Sequence, residues 1–236
     1  TAFPIGTAIA STWNLDLVRQ IGQAMGNEVL EYGVDVLLAP GMNIHRNPLC
    51  GRTFEYYSED PVVAGLTAAA MVNGVQSMGV GTSIKHFAVN SQETNRLEVD
   101  EVVSKRALRE IYLKPFELAV KLANPWTVMS SYNRLNGPYT QEDYELLTTV
   151  LRDEWGFKGI VMTDWTGPRT TAAQIHAGND VLCPGDDKHV ADIISDVKSG
   201  RLSMGDVDKA VKPQTEWQNS ACPPRPEKTA RSARRS

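Results

Sequence analysis

The chain has 236 residues, room for one large domain or two small ones, and with 42% hydrophobic and 22% charged residues it has a globular composition that excludes disorder throughout. No apolar run approaches the ~18 residues of a membrane span, and a net charge of −4 gives nucleic acid no global attraction, so neither a membrane nor nucleic acid is an expected partner. The charge is uneven: residues 1–211 carry −8, whereas 212–236 hold six basic residues against two acidic ones, net +4.

Extended and helical patterns alternate from the start. Residues 5–10 read as a strand. Asn14 is a suitable N-cap, and Val18, Ile21, Met25 and Val29 share one face of a helix that Gly33 stops. Val34 to Ala39 is a short apolar run ended by Pro40-Gly41, as in a strand buried on both faces. A polar loop fills 40–60. Asp60-Pro61 then caps and opens a helix to about Met78. The cycle repeats with a strand over 81–86, a loop over 87–103, and a helix from the Ser104 cap to about Leu122, kinked at Pro115. Further strands are predicted at 126–131, 159–163 and 179–183, and further helices near 141–155, 168–177 and 187–199, the last ending at Gly200.

Six strands alternating with helices predict an α/β fold with a parallel sheet, either doubly wound or closed as a (β/α)8 barrel. No Gly-x-Gly-x-x-Gly follows the first strand, and no P-loop motif is present. Polar residues cluster instead just after strands, at Arg52, Lys85-His86, Tyr132 and Asp164-Trp165. In a barrel these positions share the C-terminal rim, where active sites of that fold lie. A barrel is therefore expected, incomplete at about six βα units, spanning residues 1–211. The basic segment 212–236, with four prolines and no apolar period, is expected to be a disordered tail.

The rim residues allow more than one chemistry. Asp164, closing an apolar run and followed by Trp165, suits a carboxylate that reacts while an indole stacks on a sugar, but equally an N-cap or a salt-bridged rim residue. Lys85 can form a Schiff base, donate to hydroxyls, or pair with a carboxylate. His86 suits ligand contact or a packed imidazole. Arg52 and Arg96 have Glu55 and Glu93 as available partners, and Tyr132 can touch ligand or close the core. Cys50, Cys183 and Cys222 lack Cys-x-x-Cys spacing, and His45, His86, His176 and His189 lack a metal motif. Neither a metal nor another cofactor is expected.

Taken together, these segments resemble the catalytic barrel of glycoside hydrolase family 3. The resemblance rests on Ala39-Pro40-Gly41-Met42-Asn43-Ile44-His45-Arg46-Asn47-Pro48, on Gly51-Arg52-Thr53-Phe54-Glu55 with Ser58-Glu59-Asp60-Pro61, and on Lys85-His86-Phe87-Ala88-Val89-Asn90 running into Gln92-Glu93-Thr94-Asn95-Arg96. It continues in Ser131-Tyr132-Asn133, Glu154-Trp155-Gly156-Phe157-Lys158-Gly159 and Thr163-Asp164-Trp165. It implies that Asp164 is the nucleophile of a retaining β-glycosidase, a β-glucosidase or β-xylosidase, forming a covalent glycosyl-enzyme. It further implies that Arg52, Lys85, His86 and Arg96 hold sugar hydroxyls, with Tyr132 beside the nucleophile and Trp165 as the aromatic wall. The small-carbohydrate substrate follows from the same likeness. Phe-Ala-Val-Asn after Lys85-His86, in place of Phe-Pro-Gly-His-Gly, favours glucosidase over hexosaminidase chemistry.

The departures carry expectations too. The family's upstream Asp-Gly-Pro segment and the Glu of a following α/β domain, its usual acid/base, are not among these residues. A sugar-binding or inactive remnant is therefore the rival reading, self-association of an incomplete barrel is expected, and residues 212–236 read as an altered reading frame or an appended vector sequence.

Overall fold

The structure is a computed structural model that describes residues 1–165 and 170–220. Helix α1 (Gly6–Ala10) leads into α2 (Leu15–Glu31), strand β1 (Val36–Leu37) and α3 (Pro61–Gln76). Strand β2 (Gly81–Phe87) and the short β3 (Asp100–Glu101) precede α4 (Lys105–Ala107), which passes through a wide turn over Leu108–Tyr112 into α5 (Lys114–Ala123). Then come β4 (Thr127–Ser130), β5 (Arg134–Leu135), a wide-turned helix over Glu145–Glu154, β6 (Ile160–Thr163), α6 (Thr171–Ala177), α7 (Asp187–Ser199) and α8 (Met204–Ser220).

The expected caps operate. The Asn14 side chain accepts from the Leu17 amide at 3.0 Å, Asp60 accepts from Val62 and Val63 at 2.8 and 2.9 Å, and Ser104 accepts from Ala107. Gly200 sits at φ 76, where the missing Cβ lets the chain leave α7. Pro115 stands in the first turn of α5, where its absent N–H costs nothing. The irregularity expected at Pro115 falls one turn earlier, where the Leu113 amide reaches back five residues to the Leu108 carbonyl.

Four strands form one parallel sheet in the order β1-β2-β4-β6. β2 and β4 are buried along nearly their whole length, which explains why they do not alternate between apolar and polar residues. Ile84, Phe87, Val128 and Val161 face a core shared with Phe116, Leu113, Leu147 and Phe157, all essentially buried. Each such side chain contributes roughly 1.5–3 kcal/mol by leaving water.

Further sequence expectations change. Residues 5–10 form α1, not a strand. The β-branched residues favour extension locally, but Thr7 Oγ1 donates to the Thr53 carbonyl at 2.9 Å and the Tyr56 carbonyl at 3.1 Å, tying a helical turn to the 53–56 loop. The strand expected at 179–183 reduces to a single parallel bridge, Met162 to Val181. The loop 87–103 contains β3, which pairs with β5 in parallel (Asp100 with Arg134, Glu101 with Leu135), a long-range match that no local pattern announces. At the far end α8 runs past Lys212 to Ser220 with Pro213 inside it, and Gln214 Nε2 donates to the Asp180 carbonyl at 2.7 Å. The remainder of the expected tail, 221–236, lies outside the described residues, as do 168–169 of the helix expected at 168–177.

Candidate active site

Strand register places the rim. Phe87 pairs with Ser130, and Ser130 with Thr163, so β2, β4 and β6 end level with one another. Lys85-His86, Ser131-Tyr132 and Asp164-Trp165 are thereby gathered at one end of the sheet. Backbone bonds across those ends fix the arrangement: the Ser131 amide donates to the Phe87 carbonyl at 2.8 Å, and the Asp164 amide to the Ser130 carbonyl at 2.9 Å. Pairing between β2 and β4 is irregular from Ile84 to Phe87, and such an irregularity re-aims side chains that strict alternation would send to opposite faces. Lys85 and His86 lie in that stretch. Asn43 clamps the His86 backbone from both sides, accepting from its amide at 2.8 Å and donating to its carbonyl at 2.9 Å.

Asp164 is the centre of the constellation. Its Oδ1 accepts from the Trp165 amide at 2.7 Å, whereas Oδ2 is buried with no hydrogen-bond partner among the described residues. His86 Nε2 stands 3.7 Å from that oxygen, too far for a hydrogen bond. Burial lifts the Asp164 carboxyl above the ordinary aspartate range, while the Trp165 amide and the charges of Arg52, Lys85 and Arg96 pull against it. His86 is 1% exposed, and burial, reinforced by Arg52, Lys85 and Arg96, holds it well below the usual histidine range. The imidazole is neutral, so its approach to Asp164 is not a salt bridge. Tyr132 is buried, and its phenol is pushed up by that burial and then by the Asp164 charge. Burial and Asp164 likewise push the Cys183 thiol up to about 11.

Arg52 and Arg96 arrive from the loops. Arg52 Nε lies 2.5 Å from Glu55 Oε1, and Lys85 Nζ lies 3.7 Å from Glu55 Oε2, so one carboxylate serves both cations. Arg96 Nη1 meets Glu93 Oε2 at 3.0 Å, and its guanidinium sits 5.1 Å from the centroid of the Tyr132 ring. The ion pairs that sequence left open as a bland reading of these arginines are thus made, and both guanidiniums still bear on Asp164. Each of the seven predicted side chains belongs to this rim; Trp165 flanks it, 39% exposed. Sequence reasoning assigned no role to Tyr56, Asn43 or Asn90. Asn43 and Asn90 lie within the quoted motifs and Tyr56 between two of them, yet only the fold turns Tyr56 toward His86, with its hydroxyl 3.1 Å from Nδ1. Two grooves on the helical surface, of about 520 and 600 Å3, are lined by residues of α2, α3 and α5 and of α7, and contain none of these side chains.

The arrangement can present one carboxylate oxygen to an electrophile while basic groups and imidazole and phenol donors surround it. Among the described residues no cluster of three or more His, Cys, Asp or Glu side chains is grouped to hold a metal ion.

Residues 1–213 match the glycosyl hydrolase family 3 N-terminal domain. An exo-α-(1→6)-L-arabinopyranosidase of Bifidobacterium breve is 50% identical over 212 residues, covering 89% of this chain and 28% of that protein. β-Glucosidase B of Emericella nidulans is 47% identical over 212 residues, covering 89% and 25%. Among solved structures, β-glucosidase 3B of Thermotoga neapolitana in complex with glucose has a TM-score of 0.88 at 52% identity, covering 94% of this chain and 33% of that one. The chain thus spans about a quarter of the length of these curated relatives. Its four-stranded sheet and flanking helices are part of the (β/α)8 barrel those structures share, and Asp164 stands on the rim of that barrel. By sequence over nearly all its length and by fold, the chain belongs to glycosyl hydrolase family 3, in the family's N-terminal domain.

Proposed function

We propose that Asp164 is the nucleophile of a retaining glycosidase acting on glucosides or short oligosaccharides. The observation that carries this reading is the unpartnered, buried Oδ2 of Asp164 within reach of the charges of Arg52, Lys85 and Arg96. Those charges favour the ionised form that attack requires. The carboxylate oxygen bonds to the anomeric carbon as the glycosidic C–O bond breaks, and the departing oxygen takes a proton from an acid. Water then attacks the same carbon, the ester to Asp164 is released, and the water's proton passes to the conjugate base. Arg52, Lys85, His86 and Arg96 donate to hydroxyls of the bound ring, and Trp165 offers an apolar face. General acid catalysis contributes ~10²–10⁴-fold, and no residue of this rim is assigned to it. Aryl glycosides, whose leaving groups need little protonation, are therefore the substrates of choice.

The test is hydrolysis of an aryl β-glucoside by wild type and Asp164→Asn, alongside trapping with a fluorinated glucoside. Loss on the order of 10³-fold or more and a label on Asp164 are expected; equal rates, or a label elsewhere, would remove Asp164 from the role. The arabinopyranosidase relative, at slightly higher identity than the glucosidase, makes an α-L-arabinopyranosyl glycone the second reading, and an aryl α-L-arabinopyranoside run in parallel decides between them. Glucose binding in a titration, without turnover of either substrate, identifies a sugar-binding remnant. We further propose that the isolated chain self-associates through its open sheet edge.

A further inference from the structure

Tyr56 is fully buried and, though outside the predicted set, touches the site directly. Its hydroxyl lies 3.1 Å from His86 Nδ1, and its ring meets the imidazole edge-on at 6.1 Å between centroids. Asn90 bears on which of the two atoms donates. The Asn90 amide nitrogen donates to Glu93 Oε1 at 3.3 Å, which orients the amide, and the same nitrogen approaches the Tyr56 hydroxyl at 3.5 Å. The hydroxyl therefore accepts a hydrogen bond from Asn90, and among the described residues His86 Nδ1 is the acceptor within reach of its own hydrogen, so the buried O–H is satisfied by donating there. A neutral imidazole that accepts at Nδ1 carries its proton on Nε2, and Nε2 faces the unpartnered Oδ2 of Asp164 at 3.7 Å. The two bonds from Asn43 hold the His86 backbone in place beneath the ring.

We propose that Tyr56 is a positioning residue: its hydroxyl fixes His86 as the Nε2–H tautomer, aiming a neutral donor at the space between Asp164 and the bound sugar. This rests on Asp164 being the nucleophile, but its test does not. A donor at 3.7 Å leaves the attacking lone pair unengaged in the free protein and is at hand for a sugar hydroxyl that enters the gap. The opposite tautomer would turn a lone pair toward the carboxylate and repel it.

The experiment is long-range 1H–15N NMR of the full chain carrying 15N-labelled histidine, with the His86 signals assigned by their disappearance in His86→Gln. Wild type is expected to show a neutral ring protonated at Nε2 and bare at Nδ1. Tyr56→Phe is expected to lose that single state, both nitrogens shifting toward the average of two tautomers. A wild-type ring protonated at Nδ1, or an unchanged tautomer in Tyr56→Phe, would overturn the proposal. Should Tyr56→Phe fail to fold, Asn90→Asp serves in its place: the new carboxylate accepts the hydrogen bond of the Tyr56 hydroxyl, whose oxygen then accepts from His86, and the His86 proton is expected to move to Nδ1. An unchanged Nε2–H ring in that variant overturns the proposal as well. A fluorinated glucoside labelling some other residue would defeat the nucleophile assignment and leave the tautomer result standing; the converse also holds.

Discussion

Asp164 is held against its own solvation. Burial takes the carboxylate from water, and the basic side chains return only part of what it loses, so the acid stays raised. For an acid raised on folding, the native state binds the proton more readily than the unfolded chain. Its stabilisation is then full below the unfolded value near 3.8 and is lost as pH climbs through the native value. Asp164→Asn removes the charge and should raise the melting temperature at pH 7, the gain over wild type shrinking as pH falls toward 3.8; thermal scans across that range check it. Equal melting temperatures at pH 7 would mean that the carboxylate is not held at a cost. The same sign applied to activity places the acid limb of the rate profile above the ordinary aspartate value, because only the ionised form attacks. Glu55, by pairing with Arg52 and Lys85 together, fixes where those charges sit.

At the scale of elements, α2 and α3 approach closely through glycine. A Cβ on Gly74 would lie 2.3 Å from the Arg19 carbonyl oxygen, a backbone atom that cannot swing aside, and Gly22 meets the Met71 carbonyl at 2.7 Å. Gly74→Ala is expected to destabilise by ~1–3 kcal/mol through overpacking, despite the better helix propensity of alanine. Gly205, in the first turn of α8, has nothing nearer than the Ser203 hydroxyl at 3.7 Å, so Gly205→Ala should stabilise by roughly 0.4–1 kcal/mol. Denaturant melts of the pair separate close packing from propensity; matching signs would contradict this account. The junction of the Glu145–Glu154 helix with β6 depends instead on Arg152, which reaches the Gly159 and Gly178 carbonyls and meets Asp180 at 2.6 Å. The Asp180 carboxylate also accepts from the Val161 amide at 2.7 Å, joining the strand that carries Asp164 to the segment beyond it.

For the molecule as a whole, the described sheet has two ends. β1 pairs on one side only, with β2, and beyond β6 lies the single bridge to Val181. Unpaired strand edges template association with another chain. Val34, beside β1, is 45% exposed, and Tyr32 just before it is 78% exposed. Sedimentation of the purified chain is expected to show species larger than a monomer that grow with concentration. A compact monomer at all concentrations would show that the edge is protected. Among the described residues no helix is long and apolar enough to cross a membrane.

Much of this protein was legible one residue at a time. The caps at Asn14, Asp60 and Ser104, the stop at Gly200, and the buried runs that became β2, β4 and β6 depend on local chemistry, which the sequence states directly. Asp164 was visible because a carboxylate ending an apolar run before Trp165 is a local pattern, and the ordered motifs around it named the family. Other features required the folded chain. The helix at Gly6–Ala10 exists because Thr7 finds carbonyls some fifty residues away. The β3–β5 pair joins segments with no shared signal. The part of Tyr56 depends on the distance to His86 and on which way Asn90 is turned. Local preference selects elements because capping and burial act over a few residues; register and side-chain approach are settled only when distant parts of the chain compete for the same hydrogen-bond donors and the same volume.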